Sequence, residues 1–262
     1  MLVDVHAHLN HKAFENKLDQ VIERAEKKGV KSIICSGINT PTNKEVLELS
    51  KKYKIIHASA GIYPIDALGD QKPPEDEGLT YNKGPINLEK EFKFIKENKK
   101  NFIAIGEVGL DQLEKIHLEE QKKIFQQIIE FSKEIKKPLV IHSRKAEKEC
   151  IELLEKNNCK KVNLHCFTGK LKLAKKAEEL GFYFSIPAIC VRLQHFQEII
   201  RRTNINNLLT ETDAPYLTPE IGRSSEPKDV LETIRIISKI KNLDLEETKK
   251  IIFKNYQDLF LK

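Results

Sequence analysis

A chain of 262 residues, 40% apolar and 32% charged, can bury a large core beneath a heavily charged surface. That length suits one large domain, and a single α/β barrel routinely fills it. The net charge of +6 is spread along the sequence, which permits an anionic substrate without demanding one. Five cysteines without CxxC spacing argue against a disulfide scaffold or a zinc ribbon. There is no apolar run of about eighteen residues and no secretory leader ahead of "MLVDVHAHL", so the expectation is a cytoplasmic protein with no membrane contact and no evident obligate protein partner.

Short β-rich runs are predicted as strands at Leu2–His8, Ser32–Ser36, Ile55–Gly61, Phe102–Glu107, Pro138–His142, Val162–His165, Tyr183–Ile186 and Asn207–Thr212. Charged amphipathic stretches between them read as helices: Lys17–Lys28, Asn43–Tyr53, Leu88–Asn98, His117–Lys136 and Glu147–Asn157, then Leu171–Leu180, Leu193–Arg202, Asp229–Lys241 and Leu245–Phe260. Gly29 and Gly181 stand where helix C-terminal caps are expected. Eight strands alternating with helices imply a parallel sheet, and eight is the number that closes a (β/α)8 TIM barrel. An open doubly wound sheet is the rival, but it would more often place a glycine-rich turn after its first strand, where this chain has "HAHLNHKAF". The reading is a single barrel domain over residues 1–262. The Pro-, Gly- and charge-rich segment 67–85 is an inserted loop or lid within it.

His6 and His8 sit one residue apart on the first strand, so both imidazoles point the same way. The fourth strand ends in Glu107, the fifth in His142, the sixth in His165, and the eighth leads to Asp213. In a parallel barrel all these ends open onto one face. One such histidine is ordinarily a packed side chain, but four histidines and two carboxylates at one rim are costly to desolvate unless something binds them. Six ligands exceed the need of one tetrahedral ion, so two divalent ions are expected. His6, His8 and Asp213 would share one, His142 and His165 the other, with Glu107 bridging, and such a pair about 3.5–4 Å apart can clamp attacking and leaving oxygens. Nitrogen-rich ligation favours Zn, Mn, Ni or Fe over Mg.

Glu107 and Asp213 are the expected catalytic residues, with Asp213 as general base toward water or as a purely structural ligand. Arg144 is a candidate phosphate fork or a surface salt bridge. Tyr63 would either reach substrate or pack beneath the 67–85 loop. Asp4 and Glu211 are expected to hold ligands from behind. Cys166 reads as buried packing.

"VDVHAHL", "GEVGLD", "KPLVIHSR", "LHCFTG", "GFYFSIP" and "ETDAPYL", in this order, resemble the signature stretches of the TatD family of metal-dependent hydrolases. The resemblance spans essentially the whole chain. It implies a distorted barrel, a binuclear divalent-metal site at His6, His8, Glu107, His142, His165 and Asp213, and hydrolase activity, chiefly that of a deoxyribonuclease; Mg is reported as a working metal. The chain departs from the pattern at "GIYPID", where Tyr63 and Ile65 replace histidines, and at "GRSSEP", where Ser225 stands for an asparagine. These changes bear on substrate. The expected activity is metal-dependent phosphodiester hydrolysis at a DNA 3′ end or in another small phosphodiester, using a metal-activated water. An aminoacyl-tRNA deacylase is the alternative, and a non-catalytic binding module, which would be expected to have lost ligands, ranks last.

Overall fold

The computed structural model describes the chain except for residues 70–77, 83, 114 and 116. Among the described residues, eight strands form one parallel sheet in the order β1 to β8: β1 Leu2–Ala7, β2 Val30–Ser36, β3 Ile56–Ile62, β4 Phe102–Gly109, β5 Leu139–His142, β6 Val162–His165, β7 Tyr183–Pro187 and β8 Leu208–Glu211. Every neighbouring pair is parallel and in sequence order, so each connection crosses on the outside of the sheet. The crossovers are α1 Leu18–Lys27, α2 Thr40–Lys52, α3 Pro64–Leu68 with α4 Leu88–Glu97, α5 Leu118–Ile135, α6 Glu147–Lys156, α7 Leu171–Glu179 and α8 Gln194–Arg202. After β8 come α9 Val230–Lys241 and α10 Leu245–Tyr256, the latter ending in a wider π turn over Gln257–Leu261. The strands are buried on both faces, as a barrel requires.

The barrel closes between β8 and β1 by a mixed seam rather than a full ladder. Thr210 Oγ1 donates to the Val3 carbonyl at 2.6 Å. Thr212 donates to the Asp4 carboxylate from its amide at 3.0 Å and from its hydroxyl at 2.5 Å. Above these, Asp213 N bonds the His6 carbonyl at 2.9 Å and His8 N bonds the Ala214 carbonyl at 2.8 Å. The closing contacts therefore interleave with the two histidines and the aspartate that the sequence places at the mouth.

Two glycines permit close backbone approaches at that end. A Cβ on Gly61 would lie 1.7 Å from the Gly37 carbonyl oxygen, and Asn43 pairs with both the amide and carbonyl of Gly61, at 2.8 and 2.9 Å. Gly109, at φ +139°, lets β4 pass the end of β5, where a Cβ would lie 2.0 Å from the His142 carbonyl oxygen.

Helix α2 starts three residues earlier than the apolar pattern suggests. Asn39 caps it by accepting from Thr42 N at 3.0 Å, and Pro41 occupies its first turn. The short α3 is not among the helices expected from the sequence, and its last two residues fall inside the 67–85 segment; Pro64 opens it and Gly69, at φ +72°, ends it. Much of the proposed 67–85 lid lies outside the described residues. Its described part is tied down: Asn39 Nδ2 donates to the Thr80 carbonyl at 2.7 Å, Asn82 N to Asp66 Oδ1 at 2.8 Å, and Lys12 N to the Gly78 carbonyl at 3.0 Å.

Because the buried Asp4 carboxylate takes its hydroxyl bond from Thr212, Thr212→Val should lower unfolding stability by about 1–3 kcal/mol. Urea denaturation checks this, and an unchanged midpoint would show that the seam does not depend on that bond.

Candidate metal centre

The six rim residues converge. His6 and His8, pointing the same way from β1, bring their Nε2 atoms within 3.2 Å of each other. Glu107 Oε2 lies 3.6 Å from His6 Nε2 and 3.4 Å from His8 Nε2, while Asp213 Oδ1 is 3.5 Å from both. The other Glu107 oxygen, Oε1, lies 2.6 Å from His142 Nδ1 and 3.2 Å from His165 Nε2. One carboxylate thus stands between two imidazole pairs and presents an oxygen to each. The pairs are not isolated, because the His6 and His165 rings stack at 4.0 Å. Two groups have the spacing to hold a metal ion, His6 with His8 and Asp213, and His6 with Glu107 and His165. Two acidic donors in so enclosed a place set this cluster apart from ordinary surface acids: Glu107 is 5% exposed.

Each imidazole is aimed by a partner on its far side. His8 Nδ1 lies 3.1 Å from the Ser36 carbonyl, which can only accept, so Nδ1 carries the hydrogen and Nε2 faces the cluster. His6 Nδ1 meets the Ser36 hydroxyl at 3.3 Å. His142 Nε2 meets Asp111 Oδ2 at 2.9 Å, which turns Nδ1 toward Glu107. His165 Nδ1 stands 3.6 Å from Glu211 Oε1, and Glu211 is itself held by the Cys166 amide at 2.8 Å and by the Ser185 hydroxyl. Asp4 does the same service for the backbone, accepting from His6 N at 3.3 Å. The expected supporting roles of Asp4 and Glu211 match this geometry. Asp111 and Ser36 were not singled out from sequence.

The charges are mutually dependent. Burial works to neutralise Glu107, but His142, His165 and His6 hold its carboxyl well below the usual range. Asp213 is likewise lowered, chiefly by His8 and His6 acting against burial. Burial opposes the His8 imidazolium, yet the Asp213 and Glu107 carboxylates push it up to about 10. Burial also opposes the charged forms of His142 and His165, and Glu107 with Asp111 and Glu211 outweighs it, raising both. His6, enclosed and beside His165, is lowered. The carboxylates therefore stay ionised in a buried place by drawing positive charge onto the rings around them.

The remaining sequence candidates fall near this cluster with different commitments. The Tyr63 hydroxyl donates to Asp111 Oδ2 at 2.8 Å, and its ring meets His142 edge to face at 5.1 Å. That hydroxyl, offered to substrate in the sequence reading, is occupied internally. Tyr63 also packs with Ile38, Ile65, Leu79 and Tyr81, which fits the alternative of packing under the loop. Arg144 is exposed, and its guanidinium has no carboxylate partner among the described residues, so the surface salt bridge is not formed. Cys166 is half-buried at φ +43°, and its thiol is pushed well up by burial and by Glu211, the state of a poor nucleophile. No helix among the described residues is long and apolar enough to cross a membrane.

An eight-stranded parallel barrel with a buried histidine–carboxylate cluster at its C-terminal mouth defines a hydrolase-type barrel, and comparison identifies which. Residues 3–261 match the family described as TatD related DNase. A Methanocaldococcus jannaschii protein named as an uncharacterized metal-dependent hydrolase is 34% identical over 97% of this chain and 94% of its own length. Human Deoxyribonuclease TATDN3 is 30% identical over 100% of this chain and 95% of its own. Among solved structures, the Escherichia coli TatD homologue YJJV superposes with a TM-score of 0.87 at 20% identity, covering 100% of this chain and 98% of that one. The chain belongs to the TatD family of metal-dependent hydrolases.

Removing the Tyr63 hydroxyl leaves Asp111 short of one donor, so Tyr63→Phe should cost about 0.5–1.5 kcal/mol of stability in urea. Asp111→Ala frees the His142 ring and should weaken metal binding about 10–100-fold by calorimetry. Wild-type affinity in Asp111→Ala would show that His142 needs no orienting partner.

Proposed function

We propose that the chain is a divalent-metal-dependent phosphodiesterase acting on DNA, with two ions held by His6, His8, Glu107, His142, His165 and Asp213. One observation carries this reading: the buried Glu107 carboxylate offers Oε2 to the His6–His8 pair and Oε1 to the His142–His165 pair. The donor set fits such ions. Imidazole nitrogens with two carboxylates suit Zn, Mn, Ni or Fe, whereas Mg prefers an all-oxygen shell and retains its waters. When bound, the ions supply Lewis-acid polarisation of the phosphoryl group and stabilise charge building on attacking and leaving oxygens.

The chain's own residues supply the rest. Asp213 has the most open side chain of the six, 16% exposed against 7% for Glu107. Its carboxylate reaches the mouth, where it accepts a proton from the attacking water. Its ionised state at neutral pH follows from the His8 and His6 rings that lower it. Glu107 stays deeper and keeps the two halves of the site in register. Arg144 follows His142 by two residues at the rim and offers phosphate oxygens a guanidinium that has no carboxylate partner among the described residues.

DNA is favoured over an ester of tRNA by the company the chain keeps, since the human relative is named a deoxyribonuclease. Tyr63 and Ile65 put nearly buried, uncharged side chains where the family resemblance would place histidines. That leaves fewer cationic groups for an extended polyanion and favours a strand end, and cleavage from a 3′ end is the direction proposed.

Elemental analysis of reconstituted protein should find two divalent ions per chain, and Glu107→Ala should hold at most one. Two ions in that variant would remove Glu107 as the bridge. Asp213→Asn, with nearly the same shape, should lose about 10²–10⁴-fold in turnover of a 3′-labelled single strand while keeping its thermal midpoint. Turnover near wild type would assign water activation elsewhere, and exclusive hydrolysis of aminoacyl-tRNA by the wild-type protein would replace DNA as substrate.

A further inference from the structure

At the closed end of the barrel, opposite the metal centre, the connections carry charge of one sign. Those that lead into β2 to β8 are residues 28–29, 53–55, 98–101, 136–138, 157–161, 180–182 and 203–207. They hold Lys28, Lys54, Lys99, Lys100, Lys136, Lys137, Lys160 and Lys161, and contain no Asp, Glu or Arg. Lys137 is half-buried and the others are exposed, and none has a carboxylate partner among the described residues. Burial and the neighbouring Lys99 lower Lys137, so two of these cations are crowded together. The connections at the mouth mix signs instead: Glu15 stands with Lys12 and Lys17, Asp111 with Lys115, and Glu220, Glu226 and Asp229 with Arg223 and Lys228.

The surrounding groups do not cancel this excess. Acids on the flanking helices are mostly committed: Asp19 with Lys52, Glu48 with Lys51, Glu134 with Lys96, Glu155 with Lys176 and Glu179 with Lys175. Asp244 caps α10 through the Glu246 and Glu247 amides, and Asp258 is paired with Lys262. Glu26 and Glu97 have no such partner, against the eight lysines. Helix C-termini favour a cation in the last turn, which accounts for Lys28 and Lys136 at the caps of α1 and α5. The other six lie beyond the helix ends, where that attraction has faded.

The end has shape as well as charge. Its connections are two to five residues long, so no long loop projects from it. Near the starts of β3 and β4 it is hollowed by a cavity of about 270 Å³ lined by Ser50, Lys51, Lys54, Ile56, His57 and Asn101. His57 is half-buried there and has no hydrogen-bond partner among the described residues. Ser32 Oγ donates to the Tyr256 hydroxyl at 2.8 Å, which brings the end of α10 to this end of the barrel, and Leu261 beyond it is 56% exposed.

We infer that the closed end docks on a membrane surface of anionic phospholipid, with the eight lysines in its negative potential and a headgroup phosphate seated beside Lys54 and His57. Leu261 meets the headgroup layer. A lipid surface is favoured over a nucleic acid because the cations surround a flat end rather than line a groove. The connections also offer no arginine fork for a phosphate and no exposed aromatic for a base. Docked in this way, the metal centre faces the solvent. Such a contact needs no apolar span, whose absence is the ground on which the sequence argues against a membrane.

The test sediments the full-length protein with vesicles of phosphatidylcholine alone, or of phosphatidylcholine and phosphatidylglycerol at roughly 70:30. The protein should bind only the anionic vesicles, and less as salt rises, because the Debye length falls from about 30 Å at 0.01 M to about 8 Å at 0.15 M. At about fivefold per lysine, Lys99→Ala/Lys100→Ala/Lys160→Ala/Lys161→Ala should bind about 10²–10³-fold more weakly at low salt. Its thermal midpoint should not change, since none of the four has a carboxylate partner among the described residues. Lys12→Ala/Lys17→Ala, at the mouth, serves as control and should bind vesicles like the wild type. Wild-type binding by the quadruple variant would overturn the docking face, as would equal binding of the wild type to neutral vesicles or binding to neither. If the wild type ignores both vesicles and the quadruple variant loses affinity for a cleavage-resistant oligonucleotide, the face belongs to nucleic acid instead.

Discussion

The Glu107 carboxylate is the constraint around which the mouth is organised. It is buried at the end of an apolar barrel, and an ionised carboxylate there is stable only if positive charge surrounds it. His8, His142 and His165 do so, His6 adds a ring contact to the carboxylate, and Asp213 is the second anion of the cluster. Each ring must then be held with the correct nitrogen inward, which is the work of Ser36, Asp111 and Glu211. Those groups need partners in turn, and Tyr63 and Ser185 provide them. The polar groups in the upper barrel are thus successive layers of one requirement.

The seam between β8 and β1 meets the same requirement. Parallel strands at a barrel junction could close by backbone bonds alone, yet here Asp4 enters the ladder and takes Thr212 at both its amide and its hydroxyl. The result is that His6, His8 and Asp213 arrive from opposite ends of the chain at one point. Asp213 adopts a left-handed backbone, φ +53°, a conformation for which Asp is among the less unfavourable residues. Its side chain is thereby turned to the mouth while its amide stays tied to His6.

Much of this was legible in the sequence because strands announce themselves by short apolar runs and a parallel barrel gathers strand ends on one face. The predicted strands differ from the observed ones mainly at their ends, and the rim histidines and carboxylates needed no contact information to be grouped. What escaped was local or tertiary. Helix α3 is only five residues long and has no periodicity to read; its signals are Pro64 and Gly69 alone. The start of α2 was hidden because Asn39 and Pro41 lie before its apolar face begins. Asp111 stands in the "GEVGLD" stretch itself, four residues past Glu107, but its significance depends on the His142 ring thirty-one positions away. Tyr63 shows the same limit: the sequence leaves it either reaching substrate or packing beneath the 67–85 loop, and its hydroxyl bond to Asp111 is a tertiary contact that no local pattern announces.

The central claim is that two metal ions share Glu107. Electron paramagnetic resonance of the protein loaded to saturation with Mn²⁺ tests it most directly, because two ions sharing a carboxylate couple magnetically and isolated ions do not. The account predicts a spin-coupled dinuclear signal that collapses to an uncoupled mononuclear spectrum in Glu107→Ala. An uncoupled mononuclear spectrum from the saturated wild-type protein would contradict it.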